Sequence, residues 1–263
     1  MRFIAFIQRS PKTMLSPEEL LRYSRQTMLK SIGEQGQQNL KNAKVLIVGV
    51  GGLGNPVSLY LNAAGIGTIY LVDGDSIDIS NLPRQILFTE SHLSQGKADI
   101  AAEVLQQQNS TTTVEVLDEM LDEELADYYF PLVDLVLDCT DNIATRYLIN
   151  QKCLAHKKPL IIGAATGFDG QYMFVDPNAN DSACYQCLFP QSKKAPENNC
   201  QTLGILGPIL AIVGGVQALQ AIKFLAGNNI DTNQLNIFDG LSNSWQKLTV
   251  KKQQQCTACS SLQ

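Results

Sequence analysis

The feature that most narrows the fold is the turn Gly49-Val-Gly51-Gly52-Leu-Gly54, set between the unbroken apolar run Val45-Leu-Ile-Val48 and a segment, 52–64, of helical character. An apolar run without alternation marks a strand covered on both faces, as in a parallel sheet. G-x-G-x-x-G between strand and helix is the fingerprint of a nucleotide-binding α/β unit. Gly49 permits the tight turn, Gly51 and Gly52 let a phosphate reach the N–H groups of the helix start, and Gly54 allows close helix–strand contact. Asp73 closes the next strand pattern, at 68–73, where a carboxylate can bind a ribose hydroxyl. Taken alone, the fingerprint reads as an NAD or FAD dehydrogenase.

Helix and strand patterns alternate downstream. Helix is expected over 17–30 (with Ser16 ahead of Pro17), 97–108 and 142–156, and strand over 113–117, 133–138 and 159–164. This predicts a doubly wound, Rossmann-like, mostly parallel sheet. The second half differs. A strand at 171–175 precedes a polar loop over 176–199, a long apolar helix over 204–226, and a closing hairpin of strands 234–239 and 245–250. We expect an N-terminal extension over 1–14 and one domain over 15–263, with a metal-stapled C-terminal half from about 171. The 20 basic and 25 acidic residues give a net charge of −5, a poor match to nucleic acid. No apolar run approaches a membrane span in this reading, so no membrane is expected. An odd cysteine count, seven, without a leader pattern argues against a secreted disulfide scaffold and for a reducing, cytoplasmic setting.

Polar residues gather where the strands end. Asp75 follows Asp73; Ser80, Asn81, Arg84 and Gln85 form a polar loop; Lys97 opens the next helix; Asp141, Asn142 and Arg146 follow the strand ending near Asp138. In a doubly wound sheet these positions share the carboxyl edge, where ligands bind. Arg84 and Lys97 suit a polyphosphate, and Asp141 is a hard oxygen ligand for Mg²⁺. Each has an ordinary alternative: a solvated loop charge, or an N-cap pair at Asp141-Asn142. Together they favour a nucleoside triphosphate over NAD, and the two histidines, His92 and His156, lie in no catalytic context.

Cys184-x-x-Cys187 and Cys256-x-x-Cys259 predict a structural Cys₄ zinc site with no open coordination position. Cys139 and Cys153 read as buried thiols. Cys200 follows the polar stretch 191–199, a candidate mobile crossover, and reads equally as an activated nucleophile or as an ordinary packed or exposed thiol.

Across residues 15–259 these landmarks, with Arg22-Tyr-Ser-Arg25-Gln26, resemble the ThiF/MoeB/HesA family, relatives of the ubiquitin-activating enzymes. The resemblance implies ATP and Mg²⁺, and adenylation of the C-terminal glycine carboxylate of a small ubiquitin-like sulfur carrier with release of pyrophosphate. It implies nucleotide contacts from Gly52 and its neighbours, ribose binding by Asp73, phosphate contacts from Ser80, Asn81, Arg84, Gln85 and Lys97, and Mg²⁺ at Asp141 with Asn142 beside it. Arg25 would serve the other subunit's site, hence a homodimer. Residues 85–89, 187–190, 199–208 and 238–245 look like the branch that activates the ThiS-like carrier of thiazole (thiamine) synthesis, with the molybdopterin branch as the alternative. In that likeness Cys200 matches a cysteine that links covalently to the carrier, and a cysteine desulfurase-type donor supplies sulfur. Pro83 stands where the family commonly has Gln, and residues 1–14 have no counterpart in the family core.

Overall fold

A computed structural model describes residues 14–191 and 204–260 of the chain. Two short helices come first, α1 (Pro17–Arg22) and α2 (Ser24–Thr27), then α3 (Gly33–Asn42). The alternating part runs β1 (Lys44–Val48), α4 (Gly54–Ala63), β2 (Thr68–Val72), α5 (Lys97–Gln108), β3 (Thr113–Leu117), α6 (Glu123–Tyr129), β4 (Leu135–Asp138), α7 (Ile143–Ala155) and β5 (Leu160–Thr166). The remainder holds β6 (Asp169–Val175), α8 (Tyr185–Leu188), α9 (Gly207–Leu225), β7 (Gln234–Asp239) and β8 (Ser244–Thr249).

The eight strands form one sheet in the order β3-β2-β1-β4-β5-β6-β7-β8. The first five in that order are parallel and the last three are antiparallel additions. β1 shows why its apolar run is unbroken. Val45 and Ile47 enter the core beneath α4, α5 and α9, whereas Leu46 and Val48 enter the opposite core beneath α6 and α7. The order reverses between β1 and β4, so the ends of these strands flank the topological switch point where open α/β sheets bind ligands.

Three expectations need correction. The helix over 17–30 is broken at Tyr23, whose ring is drawn inside so that its hydroxyl meets Thr111 Oγ1 at 2.9 Å and Asn109 Nδ2 at 3.0 Å. Helices α3, α6 and α8 had weak signals. α3 carries two glycines and mostly polar residues, and it is held by the burial of Gly36, Gln37 and Leu40. Finally, among the described residues α9 is apolar and long enough to cross a membrane, with 19 residues at mean hydropathy 1.6. One face of it packs into the core, while Ile212 and Leu219 on the helix are exposed. Gly214 abuts Pro56 and the Leu53 carbonyl, and buried Gln217 donates to the Asp138 carbonyl at 3.0 Å.

Candidate active site

The glycine turn is fixed by backbone crowding and by two buried side chains. Gly49 has φ +88°, and a Cβ there would lie 2.9 Å from the Cys139 carbonyl oxygen. A Cβ on Gly54 would collide with the Gly49 carbonyl, as the fingerprint's third glycine requires. Gly51 is open by comparison, its nearest neighbour being the Gln85 amide nitrogen at 3.4 Å from an added Cβ. A methyl on Gly52 would press on the Leu210 side chain.

Asp73 is nearly buried, and its oxygens accept from the Val50 N–H at 2.6 Å and the Asp75 N–H at 2.9 Å. Burial raises its pKa, opposed by those two N–H groups and by Lys97. Its first task in this structure is to hold the turn. Asn55 was not singled out by the sequence reading. Fully buried, it donates to the Val50 carbonyl at 2.7 Å and accepts from the Leu87 N–H at 2.8 Å, tying the turn to the polar loop. The available signal was an amide in the first turn of an otherwise apolar helix.

The loop is a chain of local caps. Asp78 accepts from Ser80 N–H at 2.8 Å, Asn81 Oδ1 accepts from Asp78 N–H at 3.3 Å, and Arg84 donates to the Ser80 carbonyl at 2.7 Å. Ser80 is exposed, Arg84 half-buried, and Asn81 and Gln85 buried. The side-chain Oε1 of Gln85 is buried with no hydrogen-bond partner among the described residues. Lys97 opens α5 with its ammonium 2.8 Å from the half-exposed Asp75 carboxylate. A Cβ on Gly207 would lie 2.8 Å from the Pro83 carbonyl, so α9 starts against this loop. The exposed Pro83 side chain leaves the Asn81 and Arg84 bonds intact.

At the end of β4, Asp138 is fully buried, with Oδ2 3.3 Å from Arg146 Nε and Oδ1 accepting from the Thr140 N–H and hydroxyl. Burial raises its pKa, opposed by Arg146 and Thr140. Asp141 is exposed. Asn142 caps α7, accepting from Ala144 and Thr145 N–H at 2.8 and 3.2 Å. The N-cap of α7 is thus formed by Asn142.

Gly49–Gly54, Asp73, Asp75, residues 80–85, Lys97 and Asp141–Asn142 thus meet at the carboxyl edge. Arg25 does not join them. It is exposed on α2, whose Gln26 donates to the Ala64 carbonyl at the far end of α4. The 10 residues of α4 separate that point from the glycine turn by about 15 Å. Cys200 and residues 192–199 lie outside the described residues, as do residues 1–13.

The four cysteines of the two CxxC pairs are buried, and their sulfurs all lie within 4.8 Å of one another. The separations are 3.9 Å for Cys184–Cys187, 3.6 Å for Cys184–Cys256 and 3.5 Å for Cys187–Cys259. A tetrahedral zinc with Zn–S of about 2.3 Å needs edges of about 3.8 Å, so the cluster fits the ion. Burial, with Cys187 and Cys256 close by, pushes the Cys259 thiol up to about 12. The Gln253 N–H donates to the Cys187 sulfur at 3.4 Å.

A family model described as the ThiF family matches residues 23–258. The chain belongs to the ThiF family. As a member it is an adenylyltransferase by enzyme class. It is 42% identical over 245 residues to the sulfur carrier protein ThiS adenylyltransferase of Escherichia coli (strain K12), covering 93% of this chain and 97% of that protein. It is 43% identical over 257 residues to the adenylyltransferase and sulfurtransferase MOCS3 of Culex quinquefasciatus, covering 96% of this chain and 58% of that protein. The ThiF-family chain thus spans a little over half the length of that relative. Among solved structures, E. coli MccB with ATP superposes with TM-score 0.75 at 24% identity, covering 91% of this chain and 74% of that one. PaaA superposes with TM-score 0.77 at 21% identity, covering 96% and 79%. These neighbours agree with the Rossmann-like fold.

Proposed function

We propose that this chain adenylates the C-terminal glycine carboxylate of a ThiS-like sulfur carrier, using ATP and releasing pyrophosphate, as the activating step for sulfur transfer in thiazole (thiamine) synthesis. The observation that carries this reading is the meeting of the open Gly51 turn, the Lys97–Asp75 pair, the 80–85 loop and Asp141 at one edge. The match along nearly the whole E. coli ThiS adenylyltransferase supports the thiazole branch.

In this mechanism the turn's N–H groups and the α4 terminus receive the phosphates. Arg84 and Lys97 offset their negative charge, each first leaving its present partner. Asp73 keeps the turn closed and offers its remaining lone pairs to the ribose, and the buried side-chain Oε1 of Gln85, unpartnered among the described residues, can accept from a donor. Asp141, an exposed hard oxygen donor, would hold Mg²⁺, which would supply positive charge against the phosphates. The attacking carboxylate is already ionised at neutral pH, so positioning and charge neutralisation suffice without a general base. Arg25 acts across a homodimer, consistent with its distance from its own site. Zinc at the four cysteines is structural. Cys200 is the proposed attachment point for the carrier.

The MOCS3 relatives show comparable identity, which keeps the molybdopterin-pathway carrier as the second reading. ATP–pyrophosphate exchange with each carrier separates them. Exchange with the thiazole carrier alone upholds the proposal, exchange with the other carrier reassigns the pathway, and none with either removes the adenylation reading. Mixing Arg25→Ala with Asp141→Ala protein should restore up to roughly a quarter of wild-type exchange, since only mixed dimers hold one intact site. No recovery would rule out the shared site.

A further inference from the structure

We propose that Arg146 is a positioning residue that sets the Asp141 carboxylate and joins it to the four-cysteine corner. The inference rests on the reading of Asp141 as the magnesium ligand. Arg146 lies on α7, nearly buried. Its guanidinium reaches several neighbours at once. Nε faces Asp138 Oδ2 at 3.3 Å; Nη2 donates to the Thr140 carbonyl at 2.5 Å and to the Gly163 carbonyl of β5 at 3.0 Å; and the group lies over the Tyr185 ring, 5.9 Å from its centroid.

Thr140 is therefore held from both sides. Its N–H and hydroxyl go to Asp138, and its carbonyl goes to Arg146. Thr140 is the residue before Asp141, which is exposed. Tyr185 is the first residue of α8, directly after Cys184 and two before Cys187. The buried Asn150 of α7 reinforces the joint, accepting from the Tyr185 N–H at 3.0 Å and donating to Gln186 Oε1 at 3.3 Å.

A buried ion pair is a weak source of stability, because desolvation offsets most of the attraction. Its geometry is the more informative property. One planar fork spans a strand end, the neighbouring strand and an aromatic face, which a lysine ammonium cannot do.

The test compares Arg146→Lys and Tyr185→Leu with Ile149→Val, a control that loosens the same helix without touching the guanidinium. Free Mn²⁺ is followed by electron paramagnetic resonance during titration with protein and ATP in the absence of carrier. Pyrophosphate exchange is measured against Mg²⁺ concentration, and zinc content and Tm are recorded for every variant. We expect Arg146→Lys to weaken Mn²⁺ retention and lower exchange by roughly ten- to a hundred-fold, with KM for ATP unchanged. Tyr185→Leu should shift both in the same direction with zinc retained, and Ile149→Val should shift neither. Wild-type metal dependence in Arg146→Lys, or an equal shift in Ile149→Val, would overturn the inference. Asp141→Ala run alongside separates the two claims. If it leaves metal dependence intact, the underlying reading of the site fails; if it abolishes retention while Arg146→Lys does not, only the inference fails.

Discussion

The nucleotide edge and the cysteine corner are built in opposite ways. At the edge several of the groups offered to a ligand, Ser80, Arg84, Asp75 and Asp141, are exposed or half-buried, whereas Asn81, Gln85 and Lys97 are buried beside them. Buried polar groups behind them, Asn55, Asp73 and Asp138, hold the backbone. At the corner the sulfurs that could hold a metal are themselves buried, and four thiols around one ion would leave no place for substrate. Reactive charge must stay accessible and able to exchange partners, whereas a staple is stronger the better it is enclosed. Substitutions should accordingly separate activity from stability at the edge and couple them at the corner.

The sharpest test is Asp141→Ala. Exchange should fall by about 10² to 10³-fold, while Tm stays within about 1 °C, because an exposed side chain contributes little to folding. A large fall in Tm would erase the distinction. Removing zinc with a chelator should do the reverse, costing roughly 3 kcal/mol or more and lowering Tm by roughly 6–12 °C. Loss of exchange should follow the unfolding of this corner, as a thermal scan with parallel activity measurements would reveal. Asn55→Ala probes the scaffold behind the edge. It leaves the Val50 carbonyl and Leu87 N–H buried without partners, for a cost of about 2–4 kcal/mol in urea unfolding, and it should lower ATP affinity as well. Pro83→Gln should matter least, within about 0.5 kcal/mol, because its side chain is exposed and the start of α9 lies against its carbonyl.

Much of this was legible in the chain. The strands Thr113–Leu117 and Gln234–Asp239 and the helix Lys97–Gln108 have the bounds their patterns predict, since apolar periodicity reports burial directly. α3 and α6 were not legible, because few of their residues are buried and their helical form depends on neighbours. In the site, Gly49 and Gly54 could be read from spacing alone. Asn55 and the part played by Arg146 could not, because their partners lie 32 residues away at Leu87 and 17 away at Gly163.

The sequence by itself determined the nucleotide turn, the alternating strands and helices, and the two cysteine pairs. Each is a local pattern whose physics, a steric demand for glycine, a burial period or a two-residue ligand spacing, acts within a few residues. Only the tertiary structure decided that the two cysteine pairs, 72 residues apart, bring their sulfurs to 3.5–3.6 Å across the corner. It also decided that Tyr23 breaks its helix to reach Asn109, that Arg25 lies at the far end of α4 from the turn, and that one guanidinium bridges the end of β4, the neighbouring strand β5 and the Tyr185 ring beside the cysteine corner. Those outcomes depend on which buried polar groups find partners once the sheet has closed, and no local pattern encodes them.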